Sequence, residues 1–269
     1  RWNAVREYLV ETRNLPVALV DRLHERGLVF ADDHQNAVFV RHSLKDNTWI
    51  RGEVTGASLR GTWGEENHYQ GLAPGSARDQ GWFWIGTGSG PVQRVFLTES
   101  PIDAMSLAVL DKERRSQTGV TIYLSSDGSG SVPMNALNTI LEQNGRAIAA
   151  FDGDRAGELM AWRLAESLPG LERVMPVTGK DWNVLLQEDF VDPVQNHQNV
   201  PEAELLGQLW RWHSTAIALR KPDNYLRRIT EVAREVINGE NLSDKAYAAM
   251  QTDLSQGSKS LDRAAQLDL

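Results

Sequence analysis

Cysteine is absent from the 269 residues. That removes disulfides, thiolate-bound zinc and thiol nucleophiles together, and it fits a cytoplasmic protein. Histidine is scarce, and none of the six residues stands in H-x-x-x-H or H-E-x-x-H spacing, so a histidine-bound zinc is not expected either. No apolar run approaches the ~20 residues of a membrane span, and no secretory leader pattern opens the chain; no membrane association is expected. The first residue is Arg1 rather than Met, as in a piece of a longer protein. Positive charge is also short: 28 Lys and Arg stand against 36 Asp and Glu, a net charge of −8. A protein that coats nucleic acid carries the opposite balance. An enzyme that gathers cations on carboxylates does not need it, because bound ions reverse the local sign.

The length suffices for one large domain or two modest ones. Residues 1–30 read as two helices. The first carries Val5, Tyr8 and Leu9 at helical spacing; the second is capped at Asn14, has Pro16 in its first turn and stops at Gly27. The period then changes. A-V-F-V-R-H and T-W-I-R-G-E-V-T-G read as strands joined by a K-D-N turn. A glycine-rich stretch, 64–92, reads as loops with one short strand at G-W-F-W-I-G. Strand and helix alternate from there. Strands are expected at 94–98, 119–124, 146–151 and 173–177, and helices at 101–110, 132–143 and 155–168, with a short one from Trp182. Four apolar strands with helical crossovers predict an α/β fold around a mostly parallel four-stranded sheet. A polar linker from about Glu188 leads to helices expected at 201–220, 222–238 and 243–255. The expected units are therefore residues 1–92, a smaller α+β part; 93–187, the α/β domain; and 188–269, linker and helical tail.

In open α/β sheets, ligands collect at the carboxyl ends of the strands, and here those ends carry acids. Glu99 follows the first strand, Asp152 and Asp154 follow the third, and Asp181 follows the fourth in T-G-K-D-W-N. Asp103 lies one helical turn beyond Glu99 and can face the same rim. Carboxylates gathered so closely repel one another unless cations lie between them. Mg²⁺ or Mn²⁺ suits such a set, being a hard cation that takes oxygen ligands and polarises phosphoryl oxygens. Gly153 and Gly157 in F-D-G-D-R-A-G allow sharp bends and close backbone approach.

F-D-G-D-R-A-G-E, between a strand and a helix, resembles the aspartate motif of the TOPRIM domain. That domain is shared by DnaG-type primases, type IA and II topoisomerases and some nucleases. V-F-L-T-E-S-P-I-D-A-M-S-L resembles its glutamate motif, with Ser100 where the family usually has Gly. L-S-S-D-G-S-G resembles the turn after the second strand. G-K-D-W-N-V-L-L resembles the primase segment with two flanking aspartates, but the second is Asn183, which would offer an oxygen without charge. Upstream, Q-N-A-V-F-V-R-H-S-L-K-D-N-T-W-I-R-G-E-V-T-G resembles the primase stretch where basic residues approach nucleotide and template. The order of parts is similar to a DnaG-type catalytic core over roughly 5–186, above all in primase-like TOPRIM proteins of plasmids and mobile elements.

The resemblance implies Mg²⁺- or Mn²⁺-dependent nucleotidyl transfer, most nearly primer synthesis on single-stranded DNA from nucleoside triphosphates. Glu99, Asp152 and Asp154 would be catalytic and hold ions, and Asp103 and Asp181 would support a further ion. Asn36, Arg41, Arg51, Arg60 and Lys180 are the candidates for nucleotide or nucleic-acid contact, and the C-terminal helices for contact with replication or mobilisation proteins. Two alternatives stay open: a TOPRIM nuclease or strand-transfer enzyme, and a non-catalytic replication or mobilisation adaptor. No tyrosine stands in a recognisable topoisomerase context. Trp82 and Trp84 are candidates to flank a groove. The run G-T-G-S-G-P lacks a phosphate loop's ending and reads as a turn, and W-R-W-H near the C-terminus reads as a packing face.

Overall fold

The computed structural model describes residues 1–64, 69–114, 119–128, 131–177, 180–188 and 203–239. The expected linker, apart from Glu188, and the expected helix at 243–255 lie outside them. Among the described residues no helix is long and apolar enough to cross a membrane.

The chain opens with α1 (Trp2–Glu7), which widens into a π-helical turn over Tyr8–Thr12, and α2 (Val17–Glu25). Pro16 rather than Asn14 caps α2. Asn14 instead adopts a positive φ of 53° and donates its amide to Leu186 O at 2.9 Å. Gly27, with φ 67°, closes the helix as read from the sequence. An antiparallel sheet follows in the order β1-β2-β3-β4: β1 (Val29–Ala31), β2 (Ala37–Leu44), β3 (Arg51–Arg60) and β4 (Gln70–Leu72). The three-residue strands β1 and β4 carry too little alternation to be read alone; they exist because β2 and β3 offer edges to pair with.

The second sheet runs β5-β7-β6-β8-β9: β5 (Phe83–Ser89), β6 (Val92–Thr98), β7 (Gly119–Ser125), β8 (Arg146–Ala149) and β9 (Glu172–Arg173). The four expected strands, β6 to β9, are parallel to their neighbours, and β5 pairs antiparallel with β7. This sheet thus reaches back across residue 92, and the glycine run read as a turn extends β5 to Ser89. The fourth strand is only two residues, because Arg173 turns its side chain into the end of the sheet.

Side chains alternate between two cores. Val95, Leu97, Ile122, Leu124, Ala147 and Ala149 face one, shared with Trp162 of α5 (Arg155–Ser167) and with α7 (Ala203–Ala218) and α8 (Asp223–Asn238). Phe96, Tyr123, Ile148 and Phe83 face the other, shared with Val5, Leu9, Phe39 and α3 (Pro101–Leu110). This period of two buries both faces of the sheet, and each large apolar side chain so covered contributes roughly 1.5–3 kcal/mol. The remaining helices are α4 (Met134–Glu142) and α6 (Trp182–Gln187).

The W-R-W-H segment packs as read. Trp210 stacks on Trp162 at 3.6 Å between ring centroids, and His213 meets both rings edge-on at 5.5 and 5.8 Å. His213 is fully buried, and neither ring nitrogen has a hydrogen-bond partner. Burial holds its pKa down to about 4, from an ordinary 6.5. The unfolded chain therefore takes up a proton near pH 6.5 that the folded protein refuses until about 4. This group's contribution is constant above pH 6.5, falls by about 3 kcal/mol as the pH drops from 6.5 to 4, and is flat below. In urea unfolding followed by tryptophan fluorescence, His213→Leu removes that part of the acid-side loss.

Candidate active site

The ends of β6, β7 and β8 meet the start of α6 around a cavity of about 590 Å³, which Asp127 and Gly128, just past β7, help to line. Glu99 follows β6, Asp152 lies three residues past β8, and Asp181 heads α6. Asp103, in the first turn of α3, completes the acidic wall, and Lys180 also lines the cavity. The N-terminal part contributes Arg13, Arg60 and Arg78.

Local structure explains each acid's position. Ser100 caps α3: its Oγ accepts from Asp103 N at 3.2 Å and donates to Asp103 Oδ2 at 2.5 Å. Asp154 caps α5 by accepting from Gly157 N at 2.9 Å, and Asp181 caps α6 by accepting from Val184 N at 2.8 Å. Capping uses one oxygen of each. Glu99 Oε1 accepts from Asp152 N at 3.1 Å, which ties the first strand's acid to the third strand's loop. Gly157 is required for this loop, because a Cβ there would lie 2.2 Å from Asp152 O.

The electrostatics separate the acids. Burial, then repulsion from Asp103, Glu99 and Asp181, pushes the Asp152 carboxyl up to about 9. Burial and Asp181 raise Asp103 to about 7. Glu99 is raised by burial and by Asp154, against the Asp152 N–H. Asp154 goes the other way: burial raises it, but the Gly157 N–H and Lys180 outweigh that. Lys180 Nζ stands 3.1 Å from Asp154 and 3.7 Å from Asp152, on a largely exposed stem.

Among the described residues no three acidic or histidine side chains converge tightly enough to hold a metal ion in this conformation. The donor chemistry still fits a hard divalent cation. The wall is all oxygen, and Asp152 Oδ1 is buried with no hydrogen-bond partner. The carboxylates raise one another's pKa, a repulsion that a bound cation would offset.

Of the expected acids, Glu99, Asp103, Asp152 and Asp181 share the cavity; Asp154 does not line it and is committed to its cap and to Lys180. The basic candidates divide. Arg60 lines the cavity. Arg41 does not reach it. It is fully buried, pairs with Asp127 at 3.1 Å and donates to the carbonyls of Ala77, Arg78 and Gly81, so it has no face for a phosphate. Arg51 lies over the Trp84 ring at 4.8 Å and donates to Trp84 O, away from the cavity. Asn36 is held by Asp32 in the β1–β2 turn, also away from it. Asn183 lines the cavity but is no free ligand: its amide donates to Arg13 O and Ser106 Oγ, and its oxygen accepts from Arg13 and Gln187. Trp82 and Trp84 are core residues, 7% and 2% exposed, whereas Trp63 is 78% exposed. Arg13 and Arg78 are absent from the candidates read from the sequence, where an arginine after a helix and one in a glycine-rich loop carry no local signal. Tyr8 marks Arg13 out, since its hydroxyl accepts from Arg13 Nε at 2.7 Å and Arg60 Nε at 3.4 Å.

The acidic rim stands at the carboxyl edge of the parallel strands of an α/β domain. Residues 96–186 match the Toprim-like family and form a Toprim-like domain, while residues 7–90 match a family described as a protein of unknown function, DUF3991. The uncharacterized protein pXO2-78 of Bacillus anthracis is 27% identical over 173 residues; the match covers 61% of this chain and 47% of that protein, so the chain spans about half its relative's length. Two solved structures are similar. The primase fragment of the bacteriophage T7 primase-helicase has a TM-score of 0.43 at 15% identity, covering 64% of this chain and 65% of that one. The Aquifex aeolicus primase, zinc-binding and RNA polymerase domains, has a TM-score of 0.45 at 14% identity, covering 93% and 66%.

Two substitutions test this geometry. Asp152→Asn removes a buried carboxyl from beside three others, so the ion-free protein gains about 1–3 kcal/mol in urea unfolding while Mn²⁺ binding by calorimetry is lost. Gly157→Ala forces the loop off Asp152 O; it costs about 1–3 kcal/mol and weakens the same Mn²⁺ binding.

Proposed function

We propose that this chain is the catalytic core of a Mg²⁺- or Mn²⁺-dependent nucleotidyl transferase that acts on single-stranded DNA with nucleoside triphosphates, as in primer synthesis. The observation that carries the reading is the pairing, in one cavity, of an acidic wall with Arg13, Arg60 and Arg78. A nuclease also meets phosphate charge, but one phosphodiester at a time. A transferase must also hold a polyphosphate, and guanidinium groups match phosphate oxygens in charge and shape.

Tyr8 fixes the aim of two of these arginines by accepting from both. Arg13 is fastened again through Asn183. Glu99, Asp152 and Asp181, with Asp103 behind them, are the residues that would hold divalent ions; bound there, ions neutralise phosphate charge and polarise the phosphoryl oxygen. Lys180, paired with Asp154, stands at the rim where it can turn to an arriving phosphate. The net charge of −8 leaves strand binding to local cationic groups rather than to the whole surface. The helices after residue 203 offer a surface to replication or mobilisation proteins, and the relative from Bacillus anthracis is in keeping with a mobile-element setting.

The test is template-dependent incorporation of labelled nucleotide on single-stranded DNA with Mn²⁺. Product is expected, with Glu99→Gln lowering kcat on the order of a hundredfold or more. Arg13→Ala and Arg60→Ala each raise KM for the triphosphate about tenfold, the loss of a charge-assisted hydrogen bond. Nicking of plasmid DNA without nucleotide would assign the site to hydrolysis instead, and silence in both assays with weak metal binding would leave an adaptor.

A further inference from the structure

Arg173 and Glu158 are almost completely buried, each 2% exposed at the side chain, and pair at 2.9 Å. Neither lines the cavity. The Arg173 guanidinium does more than satisfy Glu158. It donates to the carbonyls of Phe151 and Asp152 at 2.8 Å each, and to Val174 O at 2.8 Å. Its fork therefore grips the backbone that presents the Asp152 carboxylate. Glu158 sits one turn into α5, the helix that the Asp154 cap begins. Its second oxygen accepts from Trp210 Nε1 of α7 at 3.0 Å. Trp210 is buried and stacked on Trp162 of α5. A continuous chain of buried bonds thus runs from α7, outside both matched family regions, to the loop bearing the central acid.

We infer that Trp210, Glu158 and Arg173 form a positioning device that holds the Asp152 loop in register, so that the acidic site is complete only with the C-terminal helix α7 docked. A carbonyl at the end of β8 has no strand partner beyond β9, which stops at Arg173. The guanidinium takes the place of the missing ladder bonds. A guanidinium buried this deeply needs its carboxylate partner, and that carboxylate's free oxygen needs a donor. Trp210 supplies it. Each member is thereby required by the next. Undocking α7 would strand Glu158 first, then Arg173, then the loop, which makes the helix a point where a partner can turn the site off.

The bearing on catalysis rests on the nucleotidyl-transfer reading; the order of the loop does not. The experiment uses the full chain and two readouts: hydrogen exchange at the Asp152 and Gly153 amides, and Mn²⁺ affinity by calorimetry. Trp210→Phe keeps an aromatic ring on Trp162 and deletes the donor to Glu158 together with part of the ring; Arg173→Lys, which leaves that stack intact, separates the two effects. Exchange at the two loop amides should quicken at least tenfold while the Tyr123 amide in β7 is unchanged. Mn²⁺ affinity should fall roughly tenfold or more, as when an outer-shell partner of a ligand is lost. Arg173→Lys, which retains the charge without the fork, should give the same signature, and the double variant should add little to either single one. Loop amides as protected as in the wild type in both variants overturn the inference. Loosened amides in a protein whose wild type binds no Mn²⁺ uphold the device and remove the catalytic reading instead.

Discussion

The constraint behind the rest of this structure is like charge crowded at the carboxyl edge of a parallel sheet. Glu99, Asp103, Asp152 and Asp181 line one cavity, and the low-dielectric surroundings make each costly in the presence of the others. Most of that charge is answered locally. Asp154 and Asp181 lend an oxygen to helix caps, Glu99 accepts a backbone N–H, and Lys180 stands beside Asp154. Asp152 is left with a buried oxygen that nothing answers. A fold that served only stability would not keep it, since an apolar or amide side chain there is cheaper. That unpartnered oxygen supports the proposed role of the rim in holding a cation.

Two buried arginines let the chain present that rim. Arg173 satisfies carbonyls where the sheet runs out, and Arg41 does the same where the first sheet meets the second. Arg41 pairs with the Asp127 carboxylate and donates to three carbonyls of the 77–81 loop, while Asp127 also accepts from Ser58 and Ser125. Ser58 belongs to β3 and Ser125 to β7, so this cluster fastens the two sheets to each other on one side of the cavity. Removing two charges from water is expensive, and such pairs contribute little net stability against a well-packed apolar replacement. What they provide is direction. Irregular backbone beside an active site cannot find its partners in a ladder, and a planar fork with five donors can reach several carbonyls at once.

The parts legible in the sequence were those governed by local pattern. The alternation of strand and helix and the F-D-G-D-R-A-G turn are short-range features and appear as the pattern implies; of the acids read after the strands, Glu99, Asp152 and Asp181 share the cavity and Asp154 does not. What escaped was long-range. Arg41 sits 36 to 40 residues from the carbonyls it serves, and Arg51 lies against Trp84, so nothing near either residue separates a buried arginine from one that faces a ligand. Trp82 and Trp84 were candidates to flank a groove, yet both faces of β5 are covered and all three aromatics of G-W-F-W-I-G are buried. Arg13 was missed for the converse reason: its placement depends on the π-helical turn before it and on Asn183, 170 residues away.

Asn183 shows how the departure from the family pattern and the arginine wall belong together. A carboxylate at this position could accept from Arg13 but could not donate. The amide does both: it accepts from the Arg13 guanidinium and gives its own N–H groups to Arg13 O and Ser106 Oγ. Arg13 is thus gripped at backbone and side chain by one residue, which is 2% exposed and itself buried against α3. An acid here would add a sixth carboxylate to a cavity already lined by Glu99, Asp103, Asp127, Asp152 and Asp181, and would leave the Arg13 carbonyl and the Ser106 hydroxyl without their donor. Under the proposed nucleotidyl-transfer reading, Asn in place of an acid gives up one charged ligand and fastens the arginine that would meet the phosphate.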